Sequence, residues 1–300
     1  MIKRLMIASM TAFCGVCLAQ TPEDNEERTL EARVRFDGFT TSRADIDGGG
    51  GDVRTSGAGG SVSVDIPAGK RGTLTLGAGM DWMFYDFGGA AGFGAADPWN
   101  EIRTASFNTR YARETSDRWG WFVGGFGSAS AEEHADFGDS MNYGGYVGAT
   151  YAPSREFYVA FGGGYATRLE DDGSFLPIIN FNWNFQENWT LGSDSRGRDG
   201  GIKLSYDLTE TVTLFAAGGF RFNEFRLKED GATPNGVGTD RAFPISFGAG
   251  WSPTKEIELG IRAGVLVGRE IELNDSAGVE ISDADVDATP FLAAELKFRF

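Results

Sequence analysis

The chain has 300 residues, a formal net charge of −16 and two cysteines. An acidic chain of this kind lacks the basic face that phosphate groups need, which excludes nucleic acid as a partner. The mean hydropathy of −0.24 is too polar for a bundle of transmembrane helices, but it fits strands that alternate apolar and polar side chains.

The N-terminus has the three parts of a secretory signal peptide. Lys3 and Arg4 are followed by a short apolar stretch and then by a small-x-small cleavage pattern. We therefore predict a cleaved signal peptide at residues 1–19 and a polar periplasmic lead-in at residues 20–28. The apolar stretch is too short to cross a bilayer as a helix.

Both cysteines, Cys14 and Cys17, fall inside this predicted signal. Their C-x-x-C spacing is typical of redox and metal pairs, but cleavage would remove both residues. We therefore predict a mature chain from about Gln20 that has no cysteine and no cofactor, with residues 29–300 forming its single folded domain.

The rest of the chain consists of short segments in which apolar and polar residues alternate. Alternation with a period of two is typical of β-strands, because successive side chains point to opposite faces. Residues 189–200 give the weakest pattern, and without a strand there the count falls from fourteen to twelve. The predicted strands are 30–37, 58–67, 73–84, 105–111, 119–131, 145–151, 157–165, 179–185, 189–192, 202–208, 212–222, 243–251, 257–267 and 291–300.

The last of these segments has one apolar face and one largely charged face, and it ends on Phe300. In this the chain resembles bacterial outer-membrane β-barrel proteins, whose final strand ends in an aromatic residue. The resemblance implies a location in the outer membrane, surrounded by lipid and lipopolysaccharide. It also implies that the barrel-assembly machinery reads the final strand through Leu292, Leu296, Phe298 and Phe300.

The resemblance implies an all-β fold, a single transmembrane antiparallel up-and-down barrel of about 14 strands, with 12 as the alternative. The connections alternate in length, as short periplasmic turns and longer extracellular loops do in such barrels. We expect the short turns near residues 67–72, 114–118, 153–156, 186–188, 209–210 and 252–255. We expect polar loops over residues 40–57 and 269–288. The oligomeric state is left open.

A barrel of this size encloses a lumen too wide for side chains to fill simply. Charged residues on the lumen face either set the preference of a pore for its solute or form structural ion pairs, and the sequence leaves both interpretations open. The predicted pore-lining residues are Glu31, Arg33, Arg35, Asp37, Asp81, Arg103, Arg110, Lys203, Asp207, Arg221, Glu258, Arg262, Glu295, Lys297 and Arg299.

From this lumen we predict a porin-like channel for passive diffusion of small hydrophilic solutes. One alternative is a non-conducting structural or adhesive surface barrel. A second is an outer-membrane hydrolase that uses His134, the single histidine, which lies among acidic residues. A catalytic histidine would need an orienting carboxylate and a nucleophile on the same rim. Because an exposed loop histidine explains the pattern better, we predict no catalytic residue and no enzyme activity.

Two acidic segments resemble fragments of calcium-binding loops: Asp45-x-Asp47-Gly48 and Asp283-x-Asp285-x-Asp287. Neither has the complete spacing with a closing Glu that an EF-hand loop requires. We therefore predict a solvated acidic rim and no metal site. Whether these loops bind divalent cations is left open.

Overall fold

The computed structural model describes residues 29–48, 51–89, 97–170, 172–196 and 199–300. The predicted signal peptide at residues 1–19 and the lead-in at residues 20–28 lie outside the described residues. In the described part of the chain, the only helical element is one turn of 3₁₀ helix at Gly138–Ser140. No helix there is long and apolar enough to cross a membrane.

In the described residues, sixteen strands form one sheet in which neighbouring strands are antiparallel. They are β1 (Glu31–Thr41), β2 (Ala44–Ile46), β3 (Gly51–Pro67), β4 (Gly72–Gly88), β5 (Glu101–Glu114), β6 (Trp119–Glu132), β7 (Met141–Tyr151), β8 (Phe157–Ala166), β9 (Ser174–Gln186), β10 (Trp189–Arg196), β11 (Asp199–Asp207), β12 (Val212–Arg226), β13 (Val237–Trp251), β14 (Ile257–Asn274), β15 (Glu280–Val286) and β16 (Thr289–Arg299).

Fourteen of these strands close into a barrel, because β1 pairs with β3 on one side and with β16 on the other. The short strands β2 and β15 extend the sheet beyond one end of the barrel. The prediction of an all-β, fourteen-strand up-and-down barrel is confirmed. The twelve-strand alternative is wrong, because β10 pairs with both β9 and β11 and so belongs to the wall.

The two ends of the barrel differ in their connections. One end, the short-turn end, carries the turns after β3, β5, β7, β9, β11 and β13, each of two to five residues. The opposite end is the long-loop end. The prediction of polar loops there over residues 40–57 and 269–288 is wrong. β3 already begins at Gly51, β14 continues to Asn274, and β15 lies within the second segment.

The outer face of the wall is apolar over most of its height. Exposed large apolar side chains occupy the outward positions of almost every strand, for example Phe36, Met80, Phe107, Val147, Phe161, Ile179, Phe247, Ile261 and Leu292. At the short-turn end, aromatic rings from neighbouring strands contact each other, as in Trp119 with Tyr151 at 4.5 Å and Trp189 with Tyr206 at 4.9 Å. These contacts form an aromatic girdle of the kind that lies at a membrane interface.

Near the long-loop end, the faces of several strands exchange polarity. On β4 the outward positions pass from apolar Phe84 to charged Asp86, and the inward positions pass from Asp81 to buried Met83. β12 changes in the same way, with outward Glu224 and inward Phe225. On β14 the change coincides with a bulge at Gly268, whose φ is 54°. Above this level the apolar faces point to the barrel axis, so the core of the molecule lies there.

Candidate functional site in the barrel lumen

The first and last strands bring seven predicted pore-lining residues together on one part of the lumen wall. Their register places Arg35 opposite Lys297 and Asp37 opposite Glu295. Arg35 Nη2 lies 2.7 Å from Glu295 Oε2, and Lys297 Nζ lies 2.8 Å from Glu295 Oε1. The remaining members of this group are Glu31, Arg33 and Arg299.

Two further carboxylates extend this charged surface. Lys297 Nζ donates to Glu258 of β14 at 3.1 Å, and Arg33 donates to Asp65 of β3. Asp65 also accepts a hydrogen bond from Thr75 Oγ1 at 2.6 Å. Sequence analysis missed Asp65, although its position opposite Glu31 on the lumen face of β3 follows the same alternation.

Four other predicted residues hold their cationic groups over inward-facing phenyl rings. Arg221 lies 4.8 Å above the Phe39 ring, and Arg110 lies 5.0 Å above the Phe122 ring. Arg262 over Phe291 and Lys203 over Phe215 are longer, at 5.7 and 6.0 Å. Cation–π contacts of this kind hold each Arg or Lys side chain in one orientation in the lumen. The side chain keeps its positive charge.

Of the remaining predicted residues, Asp81 lines the central cavity, and Asp207 accepts a hydrogen bond from Thr213 Oγ1 at 2.7 Å. The assignment of Arg103 to the lumen is wrong. Its neighbour Ile102 points inward and is buried, so Arg103 lies on the outer face, opposite Trp82. There its half-exposed guanidinium forms ion pairs with Glu101 and Glu133.

A small cavity of about 30 Å³ lies in the lumen between these charged strands. Three guanidinium groups and three carboxylates line it, together with the Phe39 ring. Its charged lining residues are Arg35, Asp37, Asp81, Arg221, Arg262 and Glu295. Because both signs are present in equal number, the cavity is balanced in formal charge.

The lumen opens toward the short-turn end, as the inward positions of β16 show. At the long-loop end Thr289 is 0% exposed and Phe291 is 4% exposed. Further along the strand, the side chains of Glu295, Lys297 and Arg299 are 10%, 35% and 58% exposed. The cavity is therefore accessible from the short-turn end and shielded at the other.

The shield is a cluster of buried apolar residues that we call the cap. It closes the long-loop end and was missed by sequence analysis. Phe39, which lines the cavity, packs against it from below. The cap consists of Ala44, Ile46, Val53, Met83, Tyr85, Phe87, Trp99, Ile102, Phe225, Leu227, Ile271, Leu273 and Val286.

A buried polar network lies inside the cap. Arg269 Nη2 donates to Asp240 Oδ2 at 2.8 Å and to Thr55 Oγ1 at 2.7 Å. The Tyr85 hydroxyl donates to the same Asp240 oxygen at 3.0 Å. The network joins β13 and β14 to β3 and β4 across the end of the barrel. Because the ion pair is almost fully buried, each charge depends on the other for its solvation.

His134 lies outside the lumen, on the exposed loop after β6, with a left-handed φ of 75°. Asp45 and Asp285 lie on the short strands β2 and β15, whose backbones pair beyond the barrel. Among the residues that the structure describes, no group of three or more His, Cys, Asp or Glu side chains is placed to hold a metal ion.

The sequence matches no family model and no curated protein. Among solved structures, the chain is similar to a FadL homologue of Pseudomonas aeruginosa, at 11% identity and a TM-score of 0.49, over 90% of this chain and 89% of that one. It is also similar to the toluene transporter TodX of Pseudomonas putida, at 9% identity and a TM-score of 0.47, over 91% and 90%. It is similar as well to the translocator domain of the autotransporter NalP of Neisseria meningitidis, at 13% identity and a TM-score of 0.35, over 92% of this chain and 90% of that one.

The closed wall and its apolar outer belt indicate the location of the chain in a membrane. In lipid, all backbone polar groups must be paired internally, which a closed barrel achieves. An even number of strands, an apolar belt and an aromatic girdle are the features of bacterial outer-membrane barrels. The chain is an outer-membrane β-barrel. The predicted resemblance and the predicted location in the outer membrane are confirmed.

Proposed function

We propose that this outer-membrane barrel is a channel for small hydrophilic solutes, and that the cap closes its long-loop end in the conformation described here. The observation that carries the proposal is the charged cavity, which is accessible from the short-turn end and ends directly beneath the cap. The cap is assembled from strand extensions beyond the apolar belt. It can therefore be displaced while the fourteen-strand wall stays closed.

The energy of the cap argues against a lumen that is open at rest. Full burial of a large apolar side chain contributes about 1.5–3 kcal/mol. Five cap residues are almost completely buried: Met83, Phe225, Leu227, Ile271 and Leu273. Together they stabilise the closed end by on the order of 10 kcal/mol. Passive diffusion, as predicted from the sequence, requires that the cap first be displaced.

A non-conducting structural barrel is the second candidate. The ion pairs along the lumen wall favour it, since paired charges such as Arg35 with Glu295 and Lys297 with Glu258 hold neighbouring strands together. The two candidates differ in one respect only. A channel conducts once its cap is opened, whereas a structural barrel has no route through the lumen.

Single-channel recording in planar bilayers separates the two candidates. We expect refolded wild-type protein to be closed for most of the recording. The double variant Phe225→Ser and Leu227→Ser removes two central cap residues and is expected to conduct in steady steps. Phe137→Ser, at an exposed loop position outside the cap, is the matched control and is expected to behave like the wild type. A cap variant that folds, as judged by heat-modifiable migration, and yet stays silent would identify a structural barrel.

The final strand supports a further part of the proposal. Leu292, Leu296 and Phe298 share the outward face of β16, opposite Ala263, Leu259 and Ile257 of β14. Phe300 directly follows the strand, with its ring stacked on Phe298 at 6.4 Å. One continuous apolar face is the surface through which an assembly machine would recognise the strand. Loss of outer-membrane insertion in Phe298→Ser, with normal insertion in Arg299→Ser on the lumen face, would support this role.

A further inference from the structure

Three neighbouring strands lose their regular hydrogen-bond ladder at one level of the barrel. On β12 and β13, the ladder has no described pair between Gly218 opposite Ile245 and Arg221 opposite Ala242. Pro244 lies in this gap and has no N–H group to donate. We call the level of residues 219–220, 243–244 and 268 the hinge line.

The interruption continues into the next strand. The register of β13 and β14 shifts between Arg241 and Phe243, and Gly268 on β14 adopts a left-handed φ of 54°. A bulge of this kind leaves one residue unpaired and bends the strand. The hinge line therefore interrupts the ladders between β12 and β13 and between β13 and β14. On its other side β12 stays paired with β11 at this level, with Gly200 opposite Phe220.

Above the hinge line the same strands are again regularly paired. Arg221 to Arg226 pair with residues 237–242, and residues 237–241 pair with residues 270–274. We call residues 221–242 and 269–274 the outer flap. Its ladders are continuous, and residues 269–274 also pair with β15, which meets β2 at Val286 opposite Ile46. The outer flap and β15 therefore form one unit, which is joined to the barrel wall through weakened backbone pairing.

The outer flap reaches across the mouth of the barrel. Arg226 at its tip forms a parallel bridge with Ala131 on β6, a strand six places away around the sheet. Its inward side chains Phe225, Leu227, Ile271 and Leu273 supply one side of the cap. Strands β3, β4 and β5 supply much of the other side.

Ion pairs fasten the tip of the outer flap to loops on the far side of the mouth. Arg226 Nη2 lies 2.6 Å from Glu170, and Arg168 Nη2 lies 2.7 Å from Glu224. Lys228 Nζ lies 3.5 Å from Glu132, and the Lys228 backbone N–H donates to the same carboxylate at 3.1 Å. We call these three pairs the latch. Each of them joins the outer flap to β6 or to the loop after β8.

Further hydrogen bonds strengthen the latch without belonging to the barrel wall. Arg226 donates from Nε and Nη2 to the carbonyl oxygen of Asp139, at 3.1 and 3.0 Å. The Leu169 N–H donates to Glu224 Oε2 at 3.0 Å. All of these bonds lie above the apolar belt, so they can break without exposing the strands to lipid.

We propose that the outer flap is a lid that pivots on the hinge line and is held shut by the latch. The inference deepens the proposed function and rests on it, because a lid is useful only where solutes pass. Opening moves the outer flap and β15 as one body and breaks the pairing of β15 with β2. It separates the apolar face of the flap from β3, β4 and β5 and uncovers the cavity. The wall below the hinge line keeps its pairing throughout.

Distance measurement between two spin labels tests the motion directly. In a background with Cys14→Ser and Cys17→Ser, labels are attached at Ala232→Cys on the outer flap and at Asp117→Cys at the short-turn end. We expect one narrow distance for the closed lid. Replacing Arg168 and Arg226 with glutamine breaks the latch, and we expect a second, shifted distance population.

Arg241→Gln is the matched control for this measurement. Arg241 forms an ion pair with Glu270 at similar burial, but both residues belong to the outer flap. The control should keep the single distance. If the latch variant also keeps the single distance between the labels, the lid is refuted. The lid is equally refuted if Arg241→Gln gives the same shifted distance as the latch variant.

A disulfide across the latch provides a second test, made in the latch variant itself. Lys228→Cys and Glu132→Cys are oxidised to the disulfide before the two labels are attached through thioether bonds. The single distance should then be restored, and reduction of the disulfide should release it. Conductance recorded on the same samples separates this inference from the proposed function. Movement without conductance would refute the channel and leave the lid standing, whereas conductance without movement would refute the lid alone.

Discussion

At the residue scale, two short turns share one hydrogen-bonding arrangement. Pro153-Ser154-Arg155-Glu156 and Pro253-Thr254-Lys255-Glu256 occupy equivalent places at the short-turn end. In each turn the Glu N–H donates to the hydroxyl of the Ser or Thr two residues earlier, at 3.2 Å. The hydroxyl in turn donates to the carboxylate of the same Glu, and this hydrogen bond lowers the pKa of that carboxylate.

We expect Thr254→Val to raise the pKa of Glu256 toward its ordinary value, because the hydroxyl donor is lost. A carboxyl group whose pKa is depressed in the folded state stabilises the turn above its unfolded pKa, about 4.3. That contribution is lost as the pH falls through the folded pKa. NMR titration of the carboxyl group measures the effect. Glu156 in the same variant is the internal control and should not change, and a shift in both groups would refute the local cause.

The buried pair of Arg269 and Asp240 provides a second prediction at this scale. Arg269→Met leaves the Asp240 carboxylate buried without its cation, which we expect to destabilise the cap by about 3–5 kcal/mol. Amide hydrogen exchange should become faster in residues 269–274, on the cap side of Gly268. Exchange in the barrel wall should not change. The double variant Arg269→Met and Asp240→Leu should recover most of the loss, since no unpaired charge remains. Equal exchange in the single and double variants would contradict this account.

At the element scale, glycines on the lumen face of β7 leave room for aromatic rings from β6. A Cβ on Gly148 would lie 2.3 Å from the Phe122 ring and 2.5 Å from the Phe161 carbonyl oxygen. We expect Gly148→Ala to destabilise the folded barrel by about 1–3 kcal/mol, because ring and backbone must both move. Denaturant unfolding in detergent measures the change. Gly127→Ala, where the nearest atom is 3.8 Å away, is the control, and an equal loss there would refute the steric explanation.

The strands within the membrane could be predicted from the sequence because one physical rule holds along their whole length. Lipid requires apolar outward side chains and the lumen accepts polar ones, so alternation marks each strand, as in Ile257–Asn274 up to Gly268. Beyond the membrane, water lies outside and the cap inside, so the rule is reversed. The alternation rule therefore predicts loop for residues 269–274, where the structure has strand. The reversal itself, as from outward Phe84 to outward Asp86, was the signal that could have revealed the cap.

At the scale of the whole molecule, the candidate site could be predicted only in part. Alternation alone placed charged residues such as Arg35 and Glu295 on the lumen side of neighbouring strands. Alternation also places Arg103 on the outer face with Phe107 of the same strand, and the prediction of a lumen position for Arg103 departs from that parity. The cap network joins residues far apart in the chain, with 155 positions between Tyr85 and Asp240 and 214 between Thr55 and Arg269. Such contacts depend on how the barrel closes and bends, which residue spacing does not specify.

The exchange of polarity on β4, β12 and β14 also fixes the hydrophobic thickness of the protein. Its upper limit lies where outward Asp86, Glu224 and Glu270 begin, and its lower limit lies at the aromatic contacts around Trp119 and Trp189. Sliding the barrel in either direction would bring charged groups into hydrocarbon or lift aromatic rings out of the interface. A bilayer of another thickness must therefore stretch or thin around the wall. The packing of nearby lipids therefore adjusts to the difference in hydrophobic thickness, while the depth of the protein in the bilayer stays the same.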